Sequence, residues 1–234
     1  RRQRQMCIRD RKYPDDYNFG YDVVDEMAKC APNDIAVQWT NVHNERKTFT
    51  FSDIATLSNK AANALRNNGV KKGDKVLVIL KRNYEYWYIV PALHKLGAVV
   101  IPATNMLTLD DITYRIETAN IKFAVSTPDD VTAETLVQAK TVKSQLEKVF
   151  VVRRDVEGSI NLTKEIENAD ENLERVQTKA KEPMLIYFTS GTTGYPKAVM
   201  HNHTYTLAHI VTAKFWQNVK ENGLHPVSYT HLTL

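Results

Sequence analysis

Apolar residues recur at helical spacing through Ile54, Leu57, Ala61, Ala62 and Leu65 and stop at Asn68-Gly69. This predicts an amphipathic helix capped by Ser52, following Thr48-Phe49-Thr50-Phe51, with its stripe turned toward a sheet. Lys71-Lys72-Gly73-Asp74 then turns into Val76-Leu77-Val78-Ile79-Leu80, an unbroken apolar run of the length expected for a strand buried on both faces. A second helix is predicted over 84–96, stopped by Gly97, with a strand at Ala98-Val99-Val100-Ile101 closed by Pro102. The alternation continues with helices over 110–119 and 131–146 and strands over 122–126 and 148–152. A polar stretch over 153–181, with one weak helix at 162–169, is expected at the surface. Met184-Leu185-Ile186-Tyr187-Phe188 is a further strand. The cadence predicts an α/β fold: alternating helices and strands in layered, largely parallel sheets.

That last strand feeds directly into Thr189-Ser190-Gly191-Thr192-Thr193-Gly194-Tyr195-Pro196-Lys197, followed by Ala198-Val199-Met200. Gly191 and Gly194 permit backbone angles and a close approach that a Cβ would hinder. The hydroxyls and successive N–H groups offer donors to phosphate oxygens, and Lys197 adds a mobile positive charge. A Ser/Thr/Gly cluster between strands is often only a turn. With the lysine, the loop is shaped for a polyanion. It is not the common P-loop, which needs Gly immediately before Lys and a hydroxyl after it; here Pro196 precedes and Ala198 follows.

The nine-residue string from Thr189 to Lys197 resembles the signature loop of the adenylate-forming superfamily: acyl-CoA synthetases, peptide-synthetase adenylation domains and luciferases. The resemblance spans roughly 21–224, because Phe49-Thr50-Phe51, Gly73-Asp74-Lys75-Val76 and Leu96-Gly97-Ala98-Val99-Val100-Ile101-Pro102 fall where that family places similar segments. Leu80-Lys81-Arg82-Asn83-Tyr84-Glu85-Tyr86-Trp87 and Pro102-Ala103-Thr104-Asn105-Met106-Leu107, with Tyr114-Arg115 behind, look most like the short- and medium-chain fatty acyl-CoA synthetases. The resemblance implies part of a large N-terminal AMP-binding domain and a two-step reaction. A carboxylic acid and ATP give acyl-AMP and pyrophosphate, and coenzyme A then displaces AMP. Mg²⁺ is implied alongside the phosphates. Thr189, Ser190, Gly191, Thr192, Thr193, Gly194, Tyr195, Pro196 and Lys197 are the implied ATP-binding residues, and His203, six residues after Lys197, is implied beside the acyl carboxylate as a catalytic residue. Two alternatives stay open: an amino-acid or aryl-acid adenylation domain serving a carrier protein, and a non-catalytic truncated nucleotide-binding module. The family's later Mg²⁺-associated Glu, ribose-binding Asp and small C-terminal domain are not found in the sequence, so the chain alone is expected to be inactive.

Other residue groups add less. His201, His203 and His209 do not match H-E-x-x-H and have no nearby Cys, so no metal ligation is expected. His209 reads as a helix-surface residue. Trp87, Tyr84, Tyr86 and Tyr88 read as a helix packed on the sheet rather than an acyl-pocket wall. No apolar run approaches the ~20 residues of a membrane helix.

The ends modify the charge. Met6 to Asp10, written ATG TGT ATA AGA GAC, has a reverse complement encoding Val227-Ser228-Tyr229-Thr230-His231. The complementarity extends over nine consecutive codon-compatible pairs, 3–11 against 226–234, and fails at Lys12/His225. It resembles a transposase end used in sequencing libraries, so 1–11 and 226–234 are expected to be translated adapter and 12–225 the native partial domain. The chain carries 31 Lys and Arg against 27 Asp and Glu, net +4. Removing 1–11 takes away five Arg and one Asp, which leaves 26 of each sign. A nucleic-acid partner is therefore not expected. Cys7 leaves with the tail; the lone Cys30 points to a reducing, cytoplasmic setting and reads as core filler.

Overall fold

The computed structural model describes residues 13–190 and 194–218. The expected tails, 1–11 and 226–234, lie outside the described residues. In chain order the elements are helix α1 (Gly20–Asp25, wound as a π-turn), α2 (Glu26–Cys30), β1 (Ile35–Thr40), β2 (Arg46–Thr50), α3 (Phe51–Asn67), β3 (Lys75–Ile79), α4 (Tyr86–Lys95) and β4 (Val99–Pro102). They continue with α5 (Leu109–Ala119), β5 (Phe123–Ser126), α6 (Thr132–Val142), β6 (Lys148–Val151), β7 (Ile160–Asn161), α7 (Leu162–Asn168), β8 (Pro183–Thr189), β9 (Lys197–Asn202) and α8 (Tyr205–Phe215).

Seven strands form one sheet in the order β7-β6-β5-β3-β4-β8-β9, parallel except for the antiparallel β8–β9 pair. The β3 run is buried on both faces. Val76 and Val78 join a core with Leu65, Ile89, Leu93 and Phe150, whereas Leu77 and Ile79 join a second core with Ile112, Ile116, Leu136 and Val151. Period-two alternation thus splits one apolar strand between two helical layers. The expected α/β architecture with a largely parallel sheet is present. An antiparallel hairpin, β1–β2, stands apart from this sheet and had no counterpart in the expected elements.

Three local expectations need correction. Thr50, not Ser52, caps α3: its side chain accepts from the Asp53 N–H while Asp53 accepts from the Thr50 N–H, a reciprocal capping box. The stretch over 153–181 is not simply surface, because α7 buries Leu162 and Ile166 in the first core, while the Asn63 amide donates to the Asp170 and Asn172 carbonyls. Cys30 is exposed rather than core filler.

Candidate active site at the carboxyl edge of the sheet

Parallel strands bring their carboxyl ends to one edge, and here β3 and β4 send their following helices, α4 and α5, to opposite cores. Such a change of direction opens a crevice at the strand ends, the usual ligand position in open α/β sheets. Next to β4 lies β8, which ends at Thr189 on this edge, and β9 starts there at Lys197.

The loop between them is held by both legs. On the incoming leg, the Arg115 guanidinium lies 5.1 Å from the Phe188 ring centroid. On the outgoing leg, the Tyr114 hydroxyl donates to the Pro196 carbonyl at 3.0 Å, and its ring stacks on Tyr195 with centroids 4.7 Å apart. The Thr189 hydroxyl reaches the Lys197 carbonyl at 3.4 Å, closing the base of the loop. Gly194 adopts φ +122°, a backbone state that a Cβ would strain although the space around it is open. Ser190, Gly194, Tyr195 and Lys197 are exposed, and Thr189 and Pro196 half-buried. Among the described residues the Lys197 ammonium has no carboxylate partner. Gly191, Thr192 and Thr193 lie outside the described residues.

Neighbouring strand ends are tied by a polar network. The Asn83 amide donates to Thr127 at 2.9 Å and to Asp129 at 2.8 Å, while Lys81 and Asn105 reach Asp130 at 3.0 and 2.8 Å. Burial alone would raise Asp130, but hydrogen bonds from Thr132, Lys81 and Asn105 outweigh it and hold the carboxyl at about 2. Arg153 pairs with Glu85 at 2.7 Å; burial raises the Glu85 carboxyl and the guanidinium opposes that shift. Met106, on the β4–α5 connection, is 80% exposed.

His203 is not brought to this loop. Strand β9 runs antiparallel from Lys197, opposite Thr189, to Asn202, opposite Pro183, so His203 follows it at the other edge of the sheet. Six residues at roughly 3.3 Å each separate it from Lys197 by about 20 Å. There it is fully buried, its ring 6.3 Å from that of His94 on α4. His209 is exposed on α8, as expected for a helix-surface position. Tyr88 is buried in the first core, while Trp87 helps line a separate apolar cleft of about 270 Å³ with Phe19, Val23, Met27, Phe51 and Val90. Among the described residues no three His, Cys, Asp or Glu side chains converge on a metal position. None of the described helices is long and apolar enough to cross a membrane.

Residues 24–234 match the family model described as AMP-binding enzyme. The chain is 34% identical over 211 residues to acyl-coenzyme A synthetase ACSM3, mitochondrial, of Homo sapiens, covering 87% of this chain and 36% of that protein. It is 32% identical over 218 residues to acyl-coenzyme A synthetase ACSM4, mitochondrial, of Mus musculus, covering 90% and 37%. The fold is shared with the acyl-CoA synthetase of Brucella canis, with a TM-score of 0.78 at 21% identity, over 90% of this chain and 38% of that one. An anthranilate CoA ligase, AuaEII, solved with anthranoyl-AMP, gives a TM-score of 0.72 at 22% identity, over 87% and 38%. The chain thus spans a little over a third of the length of these relatives, and it belongs to the AMP-binding enzyme family.

Proposed function

We propose that this chain supplies the ATP-phosphate loop of an AMP-forming acyl-CoA synthetase acting on a short- or medium-chain fatty acid. In the first step a carboxylate oxygen attacks the α-phosphorus of ATP, the bond from that phosphorus to the bridging oxygen breaks, and pyrophosphate leaves with the electron pair. In the second, the sulfur of coenzyme A attacks the acyl carbon, the bond to AMP breaks and a thioester forms. The exposed ammonium of Lys197, without a carboxylate partner among the described residues, on a hydroxyl-bearing loop beside the crevice carries this reading. Such a group stabilises charge that builds on the departing β- and γ-phosphates, where an ammonium already held by a carboxylate would contribute less. Thr189 and Ser190 add hydroxyl donors next to it. In this reading Mg²⁺ arrives on the ATP phosphates, since the loop itself carries no carboxylate.

His203 has no role in the catalytic set proposed here, since its burial at the opposite edge leaves it about 20 Å from the loop. Coenzyme A as the acceptor is supported by the names of the 30–34% identical relatives, and an aliphatic acid as the substrate by the resemblance of residues 80–87 and 102–107 to short- and medium-chain synthetases. The chain by itself is expected not to turn over, because it corresponds to a little over a third of those proteins.

The test is ATP–pyrophosphate exchange in a protein in which this chain is continued by the remaining length of its relatives, with butyrate, octanoate, benzoate and glycine supplied in turn. Exchange dependent on butyrate or octanoate is expected. Exchange only with glycine or benzoate, or exchange indifferent to any acid, contradicts the assignment.

A further inference from the structure

We propose that Tyr114 is a positioning residue for the outgoing leg of the phosphate loop, residues 194–197, acting through its hydroxyl on Pro196 and its ring on Tyr195. The proposal rests on the phosphate reading of the loop for its consequence, but its geometry is independent of it. Proline has no N–H, and the β8–β9 ladder begins only at the Thr189–Lys197 pair, so the Pro196 carbonyl lies just outside the ladder. The Tyr114 hydroxyl takes that carbonyl at 3.0 Å. The two tyrosine rings lie at 4.7 Å with 21° between their planes, although Tyr195 is 76% exposed and would otherwise be free to swing into solvent. The same Tyr114 ring meets Phe188 edge-on at 6.4 Å, so one side chain touches both the strand that enters the loop and the segment that leaves it.

The platform for this contact is itself well fixed. Helix α5 starts at a reciprocal capping box between Thr108 and Asp111, and Ile112 and Ile116, flanking Tyr114, are fully packed in the second core. A half-buried tyrosine on a rigid helix therefore grips an exposed leg that carries the lysine. Pre-ordering that leg removes conformational freedom that phosphate binding would otherwise have to remove, so the expected consequence is affinity rather than global stability.

Two variants separate the parts. Tyr114→Phe keeps the stack and deletes the hydroxyl; Tyr114→Leu deletes both. In amide hydrogen exchange resolved to short peptides, exchange over 194–197 is expected to quicken about fivefold in Tyr114→Phe, the effect of one lost hydrogen bond. It is expected to quicken further in Tyr114→Leu, with β3 and β4 exchanging as in the parent. Calorimetric titration with MgATP is expected to show about fivefold weaker binding in Tyr114→Phe at an unchanged urea midpoint. Unchanged exchange over 194–197 in both variants overturns the proposal. If that occurs while Lys197→Ala still weakens MgATP binding, only the tyrosine grip has failed. If the parent chain takes up no MgATP, the phosphate reading fails for this chain and the exchange data still decide whether Tyr114 orders the leg.

Discussion

The imidazoles of His94 and His203 meet edge to face, with centroids 6.3 Å apart and planes at 76°, and among the described residues neither ring has a hydrogen-bond partner at Nδ1 or Nε2. Both residues are buried. Burial pushes His94 down to about 3, with repulsion from His203 adding to it. Burial likewise holds His203 at about 4, where the Glu182 carboxylate pulls upward and Lys72 pushes further down. Two neutral rings in contact give this edge of the sheet a weakness toward acid.

In the unfolded chain a histidine titrates near 6.5, so below that pH the unfolded state binds protons that the folded state refuses. The stability linked to the pair is complete above pH 6.5 and is lost as pH falls from 6.5 through about 4 and 3. Each ring is expected to cost about 2 kcal/mol between pH 6.5 and pH 5. Urea midpoints measured from pH 7 to pH 5 should fall steeply in the parent chain and less steeply in His94→Leu. Parallel curves would show that the histidines are not the groups responsible.

Lys95 is fully buried, and its ammonium donates to Asp25 at 2.5 Å, Asn59 at 2.7 Å and Ser58 at 2.8 Å. Burial pushes the lysine down and the Asp25 carboxyl up, and each opposes the other's shift. Removing one partner strands the other, so Lys95→Met is expected to lower stability by about 3 kcal/mol or more. The double variant Asp25→Asn/Lys95→Met should recover at least half of that. Urea unfolding of the three proteins checks it, and an uncompensated double variant would assign the loss to packing of the lysine stem.

Capping should be measurable at two places. Thr50 and Thr108 each form a reciprocal box, with Asp53 and Asp111, at the starts of α3 and α5. Thr50→Ala and Thr108→Ala are each expected to cost about 1 kcal/mol. Ser52→Ala should cost far less. Equal losses in Thr50→Ala and Ser52→Ala would contradict the cap assignment.

Much of the sheet could be read from the chain because β3 and β4 are apolar on both faces and the helices between them carry clear stripes. The cap was misplaced by two residues since Thr50 and Ser52 are both hydroxyl residues; what separates them is Asp53, three positions after Thr50 and only one after Ser52. The β1–β2 hairpin escaped notice because its strands are largely exposed and interleave Gln38, Thr40, Arg46 and Lys47 with the apolar positions. His203 shows a limit of carrying a role over from a motif resemblance. A motif fixes a residue's place in the chain, whereas the six residues from Lys197 run the full length of β9 and carry His203 to the other edge. Tyr114 contacts Pro196 across 82 residues of sequence, and no local pattern announces that meeting.

The central claim is that the Lys197 ammonium faces the pyrophosphate as it leaves. The direct measurement compares Lys197→Ala with the parent in carboxylate-dependent ATP–pyrophosphate exchange, in the protein continued to the length of its relatives, with thermal unfolding followed alongside. Exchange should slow at least about 100-fold, the usual cost of losing one group that stabilises developing charge, while the unfolding curve stays in place because the side chain is exposed. An unaltered exchange rate in a folded Lys197→Ala protein would contradict the account.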